Sequence, residues 1–384
     1  MDRRVAVVGY AQTEHRPRID SSREMMVYRV TRELLDSAGV TKDRVDTVVS
    51  AQNDFLEGRT ISNMRTVGPL AAFMKEETKV EMDGAYAALY AYARVRSGLH
   101  DVALVAGESM ASCYPAYLPA VWALDPTFDR PNGFLNELSA GALQARSYME
   151  RYGVSEEQVA GVSVKNLGSA AGNPKACRSI PGIDLAAVMG SRALYSPLRE
   201  LNCYPLTDGA CALLLAEEKT ALEMTDRPVW IQGVGSSSDT YYLGERNLSG
   251  CDSLAAAADA AYRMAGISDP RAEIDVAEVH ESFSHEELIF YEALGLCGEG
   301  EGAGLLESGA TSPDGDLPVN PSGGALGANP LCATGLIRIV ESAMQIRGDA
   351  GDHQVPGEVA TALAQGQNGL CAQQNVVFIL RGQR

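Results

Sequence analysis

Residues 277–288 read AEVHESFSHEEL and place two histidines among several carboxylates. Two histidines that bind one zinc ion from a helix lie four residues apart, whereas His280 and His285 lie five apart, so metal binding is not predicted. His280 instead directly follows a predicted strand and precedes a predicted helix, where the catalytic groups of α/β sheets cluster. Since imidazole titrates near neutral pH, this position favours His280 as a general base. A surface histidine that caps the next helix is the alternative.

A second group of polar residues lies at the start of an apolar helix. Residues 321–340 read PSGGALGANPLCATGLIRIV, in which small residues lead to Asn329, Pro330 and Cys332. An amide can donate a hydrogen bond to a ligand oxygen but is not a base near pH 7. A thiol at a helix N-terminus is expected to have a lowered pKa. The stretch fits a plain turn, an anion-binding loop or the floor of an active site.

Two further motifs depart from the catalytic loops that they resemble. The sequence GESMA around Ser109 follows a strand, as a hydrolase nucleophile elbow does, but Pro115 and Pro119 stand where that elbow needs a helix. Residues 295–304, GLCGEGEGAG, have the glycines of a phosphate-binding loop, but two glutamates between them would repel a phosphate. Neither a catalytic Ser109 nor a nucleotide loop is therefore favoured.

The composition limits the class of protein. The chain has 384 residues and a formal net charge of −18, so it would repel a nucleic-acid backbone. No stretch approaches the roughly 20 apolar residues needed to span a bilayer, and the N-terminal segment lacks the apolar part of a signal peptide. The 8 cysteines include no C-x-x-C pair and are typical of a reducing compartment. We therefore expect a cytoplasmic protein with no metal site and no nucleic-acid or membrane partner.

The predicted elements that must position these groups alternate between strands and helices, which indicates an α/β fold. Strands are predicted at 4–8, 45–51 and 101–107, with helices at 22–39 and 84–98 between them. Between about 115 and 200 the alternation is lost and prolines are frequent. A long excursion of this kind predicts a loop domain, which we expect to lie over the first half of the chain.

The chain also contains a weak internal repeat. Residues 30–55 and 258–283 both read as a helix, an Ala-Gly-aliphatic end, an aliphatic-Asp pair and a strand. Two similar halves indicate a duplication, with a site between them. We place the halves at residues 1–226 and 227–384.

Four long stretches in the same order resemble the thiolase superfamily, in particular the sterol-carrier-protein type and bacterial or archaeal thiolase-like enzymes. They are residues 148–176, 196–218, 277–306 and 317–351. The resemblance implies an α/β thiolase fold of two duplicated βαβαβαββ halves in a five-layer α/β/α/β/α sandwich. It also implies that the inserted loop domain helps to bind the pantetheine and nucleotide of coenzyme A.

The same resemblance implies chemistry at the carbon–carbon bond next to a thioester. The substrates would be an acyl-CoA and coenzyme A, with no tightly bound cofactor. The family suggests a homodimer core and, in several relatives, a small partner subunit with a zinc ribbon and an OB-fold.

A thiolase uses a cysteine nucleophile at the N-terminus of a buried helix, and the matching segment of this chain has none. That segment, residues 80–89, reads VEMDGAYAAL, so Met82, Asp83 and Gly84 occupy the candidate positions. Asp83 is either the N-cap of the helix or a carboxyl group that orients His280 or exchanges protons with it.

The remaining family positions are also changed, except for the retained His280. Asn329 stands where relatives have a histidine before proline, and Gln365 stands where they have a cysteine or histidine in the last catalytic loop. Both amides could hold an enolate or thioester oxygen, but neither can act as a base. Cys332 and Cys371 are candidate nucleophiles. Cys332 replaces a small residue of the corresponding turn in the family. The simpler interpretation is that each cysteine is a small buried residue without a catalytic role.

Three functions stay open at this point. The favoured one is a thiolase-like acyltransferase that makes or cleaves a carbon–carbon bond in an acyl-CoA. The second is a cysteine-independent, aldolase-type lyase that acts on a β-hydroxyacyl-CoA. Thiolase-fold aldolases carry tyrosines near the positions of His280 and Asn329, which this chain lacks. The third is a non-catalytic subunit of a heteromeric complex.

Overall fold

The computed structural model describes residues 3–114, 121 and 124–383. Its strands are β1 Val5–Gln12, β2 Thr47–Ala51, β3 Glu76–Val80, β4 Val102–Met110, β5 Ala193–Tyr195, β6 Leu198–Arg199, β7 Asp208–Glu217, β8 Val229–Ser238, β9 Val276–Glu278, β10 Thr361–Asn368 and β11 Gln374–Arg381.

The α-helices of the described residues are α1 Arg23–Ser37, α2 Asp54–Glu57, α3 Gly84–Arg96, α4 Glu137–Tyr152, α5 Glu156–Ser169, α6 Leu185–Gly190, α7 Glu218–Met224, α8 Asp252–Ala265, α9 Pro270–Glu273, α10 Ser284–Ala293, α11 Gly302–Glu307, α12 Gly324–Gly327 and α13 Thr334–Arg347. Within the described ranges, no helix combines the length and the apolar character that crossing a bilayer requires.

The main sheet repeats one strand order in the two halves of the chain. Its order is β3-β2-β4-β7-β1-β8-β11-β10-β9. In the first half the last strand, β7, runs antiparallel to its neighbours β4 and β1, and in the second half the last strand, β11, runs antiparallel to β10 and β8. Strand β3 is the third strand of the first half along the chain and lies at the free edge of the sheet. Its counterpart in the second half is reduced to a parallel bridge between Ala277 and Val319. The predicted α/β class is confirmed.

The two half-sheets are joined along one edge. Ala6 pairs with Trp230 and Val7 pairs with Val229, both in antiparallel register. A buried strand edge would leave backbone N–H and C=O groups without partners, and pairing β1 with β8 satisfies them. The halves therefore share one continuous sheet.

Two central helices lie between the inner faces of the two half-sheets and form the middle one of the five layers. Helices α3 and α13 pack against each other, and their apolar residues share one core with the inner faces of both half-sheets, as Ala88, Val105, Leu336 and Phe378 illustrate. Helix α1 covers the outer face of the first half, and α8 and α10 cover that of the second. Because α3 is buried on most of its surface, its alanine-rich sequence allows a close approach to α13.

The region between β4 and β7 carries helices α4 to α6 and a small β5–β6 hairpin. Pro115 and Pro119, at the start of the predicted loop domain, lie outside the described residues. Tyr148 of α4 and Val162 of α5 share a core with Phe290 of α10 and residues of α8. The expectation that this region lies over the first half is therefore wrong. Helix α10 is buried on nearly every side and needs this cover.

Candidate active site

A cavity of about 280 Å³ opens where the N-termini of α3 and α13 meet the ends of strands β9 and β10. Four of the predicted site residues line it together, and they are Asp83, His280, Asn329 and Cys332. They come from segments that are distant along the chain. The fold thus gathers them at the junction between the first and second halves.

Asp83 is the N-cap of α3 and also binds the first turn of α13. Its carboxyl oxygens accept hydrogen bonds from Ala85 N and from Gly335 N, each at 2.9 Å. A Cβ on Gly335 would lie 1.9 Å from Asp83 Oδ1, so only glycine permits this approach. Burial raises the pKa of Asp83 to about 7, although the backbone N–H groups lower it. Asp83 is therefore both a cap and a carboxyl group that changes charge near neutral pH.

His280 lies beside this carboxyl group. Its Nδ1 is buried 3.6 Å from Asp83 Oδ2, which is within ion-pair range but too long for a hydrogen bond. Burial lowers the pKa of His280 to about 3. Asp83 does not offset this effect, because a carboxyl group with a pKa of about 7 is already protonated at the low pH where His280 would take up a proton. Near pH 7 the pair therefore has two protonation states. In one, His280 is a neutral imidazole and Asp83 is a carboxylate, and in the other the pair holds one additional proton.

Asn329 lines the cavity, and its amide is held on one side by the protein. Its side-chain oxygen accepts a hydrogen bond from Thr334 Oγ1, which fixes the orientation of the amide. The amide nitrogen has no hydrogen-bond partner in the described part of the chain, and the residue is only 2% exposed. A donor that is fixed in this way and lines a cavity can bind an oxygen on which negative charge develops.

Gln365, the fifth predicted site residue, does not line the cavity. Its Oε1 accepts a hydrogen bond from His280 N at 2.8 Å, and its Nε2 donates to Asn375 Oδ1 at 2.8 Å. Both ends of the amide are thus engaged within the protein, and Gln365 positions the backbone of His280. Gln367, two residues on along the same face of β10, lines the cavity and donates to His280 O at 2.6 Å. Sequence reasoning missed Gln367, which the period of the strand could have indicated.

Cys332 lies in a short turn just before α13, as predicted, but its thiol is not activated. Burial and the nearby carboxyl groups of Glu108 and Asp83 raise the pKa of Cys332 well above its usual value. The predicted lowering is therefore wrong, because the helix N-terminus is outweighed by burial and negative charge. Burial likewise raises the pKa of Cys371.

Of the three positions that could match the family nucleophile, Met82, Asp83 and Gly84, the last has no room for a side chain. Gly84 is the first residue of α3. A Cβ on Gly84 would lie 2.7 Å from Leu336 Cβ and 3.0 Å from Cys332 O. The close packing of α13 on α3 therefore occupies the space that a nucleophilic side chain at this position would need.

The weaker motifs have structural roles. Ser109 lies within β4, is 1% exposed and bonds to Tyr114 Oη, so it does not form a nucleophile elbow. His285 is buried in α10 and its Nε2 bonds to Gln144 Oε1. Gly295, Gly298 and Gly300 lie in the turn that leads into α11, and Gly302 and Gly304 lie in α11 itself.

Replacement of Asp83 by asparagine is expected to change how the free energy of unfolding depends on pH. Between about pH 4 and pH 7 the unfolded chain loses the Asp83 proton and the folded chain keeps it, so this group makes the wild type less stable as the pH rises. Asparagine does not titrate, but it leaves one buried N–H unpaired, at a cost of about 1–3 kcal/mol. Urea unfolding at pH 5 and pH 8 should show a larger loss of stability at pH 5. An equal loss at both values would contradict the raised pKa, and the exposed Asp36→Asn variant is the control.

Comparison with known proteins gives a consistent family. The family described as "Thiolase C-terminal domain-like" matches residues 235–381. The acetyl-CoA acetyltransferase of Methanothermobacter thermautotrophicus is 34% identical, over 92% of this chain and 94% of that protein. Sterol carrier protein 2 of Bos taurus is 36% identical, over 55% of this chain and 40% of that protein.

The solved structures show the same fold. The structure named Ltp2-ChsH2(DUF35) aldolase has a TM-score of 0.85 and 24% identity, over 99% of this chain and 98% of that one. Human mitochondrial 3-ketoacyl-CoA thiolase has a TM-score of 0.73 and 14% identity, over 100% of this chain and 99% of that one. Taken with the identity to the archaeal relative along nearly the whole chain, these findings show that the protein belongs to the thiolase superfamily.

Proposed function

We propose that the protein cleaves or forms the bond between the α- and β-carbons of an acyl-CoA thioester, and that it does so without an acyl-enzyme. Its favoured reaction is aldol-type cleavage of a β-hydroxyacyl-CoA, or the reverse. One observation carries this proposal. Asp83, His280 and Asn329 line one cavity, while none of the candidate nucleophile positions 82–84 carries a cysteine and Leu336 leaves no room for a side chain at Gly84.

Asn329 is the group that holds the thioester oxygen. Aldol cleavage leaves the electrons of the broken bond on the α-carbon and the thioester oxygen, as an enolate. The free N–H of the Asn329 amide can bind that oxygen, while Thr334 keeps the amide from rotating. One such donor lowers the barrier by roughly 3 kcal/mol in comparable sites.

His280 and Asp83 exchange the proton at the α-carbon. Since Nδ1 of His280 faces Asp83, its Nε2 is the nitrogen left for the substrate. Burial holds the pKa of Asp83 at about 7, so this carboxyl group can give up or take back a proton near neutral pH. A proton shared by this pair can therefore move to the enolate carbon.

Coenzyme A is proposed to take part as the thiol half of the acyl-CoA substrate rather than as a resident cofactor. The halves 1–226 and 227–384 stay the proposed domains. A homodimer core, a cytoplasmic location and a small zinc-ribbon/OB-fold partner also remain proposals. The partner is favoured because the name of one similar solved structure joins an aldolase to a DUF35 component.

Covalent, thiolase-type transfer through Cys332 is the second candidate, because its side chain also lines the cavity. We expect no acyl adduct when the protein is incubated with acetyl-CoA or with 3-hydroxyacyl-CoA thioesters, because the thiol stays protonated. Intact-protein mass spectrometry tests this, with product analysis for the released carbonyl compound and acyl-CoA. Cys332→Ala should keep activity within about threefold of the wild type.

The possible outcomes separate the three functions. An adduct mapped to Cys332, together with loss of turnover in the alanine variant, would establish covalent transfer instead. Absence of both turnover and coenzyme A binding by calorimetry would favour the non-catalytic subunit.

A further inference from the structure

A further titratable group lines the active-site cavity and has no part in the chemistry described so far. Glu137 is the first residue of α4, in the region between β4 and β7, and it lines the same cavity as His280. Glu137 Oε2 accepts a hydrogen bond from Tyr204 Oη at 2.6 Å. Across the residues that the structure describes, no ion pair joins Glu137 to a lysine, arginine or histidine. The group is thus held in place but not neutralised.

Glu137 and His280 are fixed within one hydrogen-bonded frame. Tyr204, which holds Glu137, donates from its backbone N to Ser282 O at 3.0 Å. Ser282 N donates to Glu286 Oε2 at 2.7 Å. Gln367 Nε2 donates to the same carboxyl oxygen at 2.8 Å and to His280 O at 2.6 Å. A displacement of Glu137 relative to His280 would break this frame, so the two groups keep a fixed separation.

The surroundings of Glu137 leave it able to take up a proton. Burial raises the pKa of Glu137, and the hydrogen bond from Tyr204 lowers it. The buried Glu286 carboxyl group is close enough for the two to repel each other. Two thiols also interact electrostatically with Glu137, those of Cys203 and Cys371. The charged or titratable residues that line the same cavity are Asp83, Asp129, Tyr241, Arg246, His280 and Cys332.

Aldol cleavage needs two proton transfers at two different atoms. Asn329, His280 and Asp83 gather at the N-termini of the central helices, where they serve the thioester oxygen and the α-carbon. The β-hydroxyl group stands on the next carbon, further from the thioester. Glu137 approaches the cavity from a different element, the loop-region helix α4, and can therefore reach a different atom of the substrate.

We propose that Glu137 is the general base that removes the proton of the β-hydroxyl group, an inference that rests on the proposed aldol-type function. The Glu137 carboxylate takes the hydroxyl proton, and the β-carbon becomes a carbonyl. The bond between the α- and β-carbons breaks, and its electrons form the enolate whose oxygen Asn329 holds. The α-carbon then takes a proton from the Asp83–His280 pair. Proton exchange with water returns both groups to their starting states, and no oxidant or reductant is needed.

Glu137→Gln, made in the full chain, separates the two proton transfers. Cleavage of a panel of 3-hydroxyacyl-CoA thioesters should fall by about 10²–10⁴ in kcat/KM, as for the loss of a general base. Exchange of the α-hydrogens of acetyl-CoA with D₂O, read by mass spectrometry, should stay within about threefold of the wild type. Glu150→Gln, which removes an exposed carboxyl group of the same helix outside the cavity, should change neither reaction.

Two other outcomes would overturn the assignment of Glu137 as the base, and a third would refute the proposed function. Cleavage within about threefold of the wild type in Glu137→Gln would overturn the assignment of the base. An equal loss of cleavage and exchange would also overturn it, because it would mean that Glu137 supports the whole site. A wild type that neither cleaves nor exchanges would instead refute the proposed function.

Tyr204→Phe provides a second test that does not remove the carboxyl group. Loss of the Tyr204 hydrogen bond should raise the pKa of Glu137, because that bond favours the carboxylate. The base is active when ionised, so the rising part of the plot of cleavage kcat/KM against pH should move to higher pH. The α-exchange reaction should not show this movement. An unchanged pH profile would contradict a role for Glu137 as the base, even if Glu137→Gln does not fold.

Discussion

Replacement of His280 by alanine is expected to lower kcat/KM for carbon–carbon cleavage by about 10²–10⁴, the usual contribution of a positioned acid–base group. The imidazole is 6% exposed and lies 3.6 Å from the Asp83 carboxyl group. Alanine would leave Asp83 without a path to the α-carbon. Exchange of the α-hydrogens of acetyl-CoA should therefore be lost together with cleavage, which distinguishes this variant from Glu137→Gln.

The matched control for His280 is His100→Ala. His100 is a partly exposed histidine outside the cavity that bonds to Glu76. Its loss should leave both reactions unchanged. If His280→Ala retains activity within about threefold, another group moves the α-proton and the assignment is wrong. Thermal unfolding of both variants shows whether the fold is intact.

Replacement of Asn329 by alanine is expected to lower kcat by about 10²–10³, which is the effect of removing one donor to a developing negative charge. KM should change little, because the hydrogen bond strengthens when the thioester oxygen becomes an enolate. Steady-state kinetics on the same 3-hydroxyacyl-CoA thioesters measure both quantities. Loss of Thr334 Oγ1 in Thr334→Val should have a smaller effect in the same direction, because this hydroxyl group only orients the amide.

Asn368→Ala is the control for the amide at position 329. Asn368 also lines the cavity, but its Nδ2 donates to Gln374 Oε1 at 2.8 Å. Its loss should therefore leave kcat unchanged. A raised KM with unchanged kcat in Asn329→Ala would mean that the residue binds substrate without stabilising the enolate.

Local patterns predicted the elements and part of the site. The apolar periods at 22–39 and 84–98 correspond to α1 and α3, since the face that a helix buries is written in its own sequence. The strand-to-helix junction at His280 was also visible, because the end of a strand and the start of a helix are local features. Its place in the cavity then follows from the α/β fold.

The loop region and the amides of β10 show where local patterns stop. The prolines between about 115 and 200 indicated an excursion, but not that α4 and α5 would cover α10 of the second half. Similarly, the composition of β10 offered two glutamines. Only the packing of β10 beside β9 decided that Gln365 supports His280 from behind and that Gln367 faces the cavity.

The sequence by itself determined the fold class, the repeated strand–helix order and the absence of a cysteine at the helix start, because these depend on residue type and spacing. The tertiary structure alone decided the charge states. Whether Asp83 or Cys332 carries a proton depends on burial and on charges contributed by distant segments. The tertiary structure also decided that Glu137 shares a cavity with His280, since the two lie 143 positions apart in the chain and only folding brings them together.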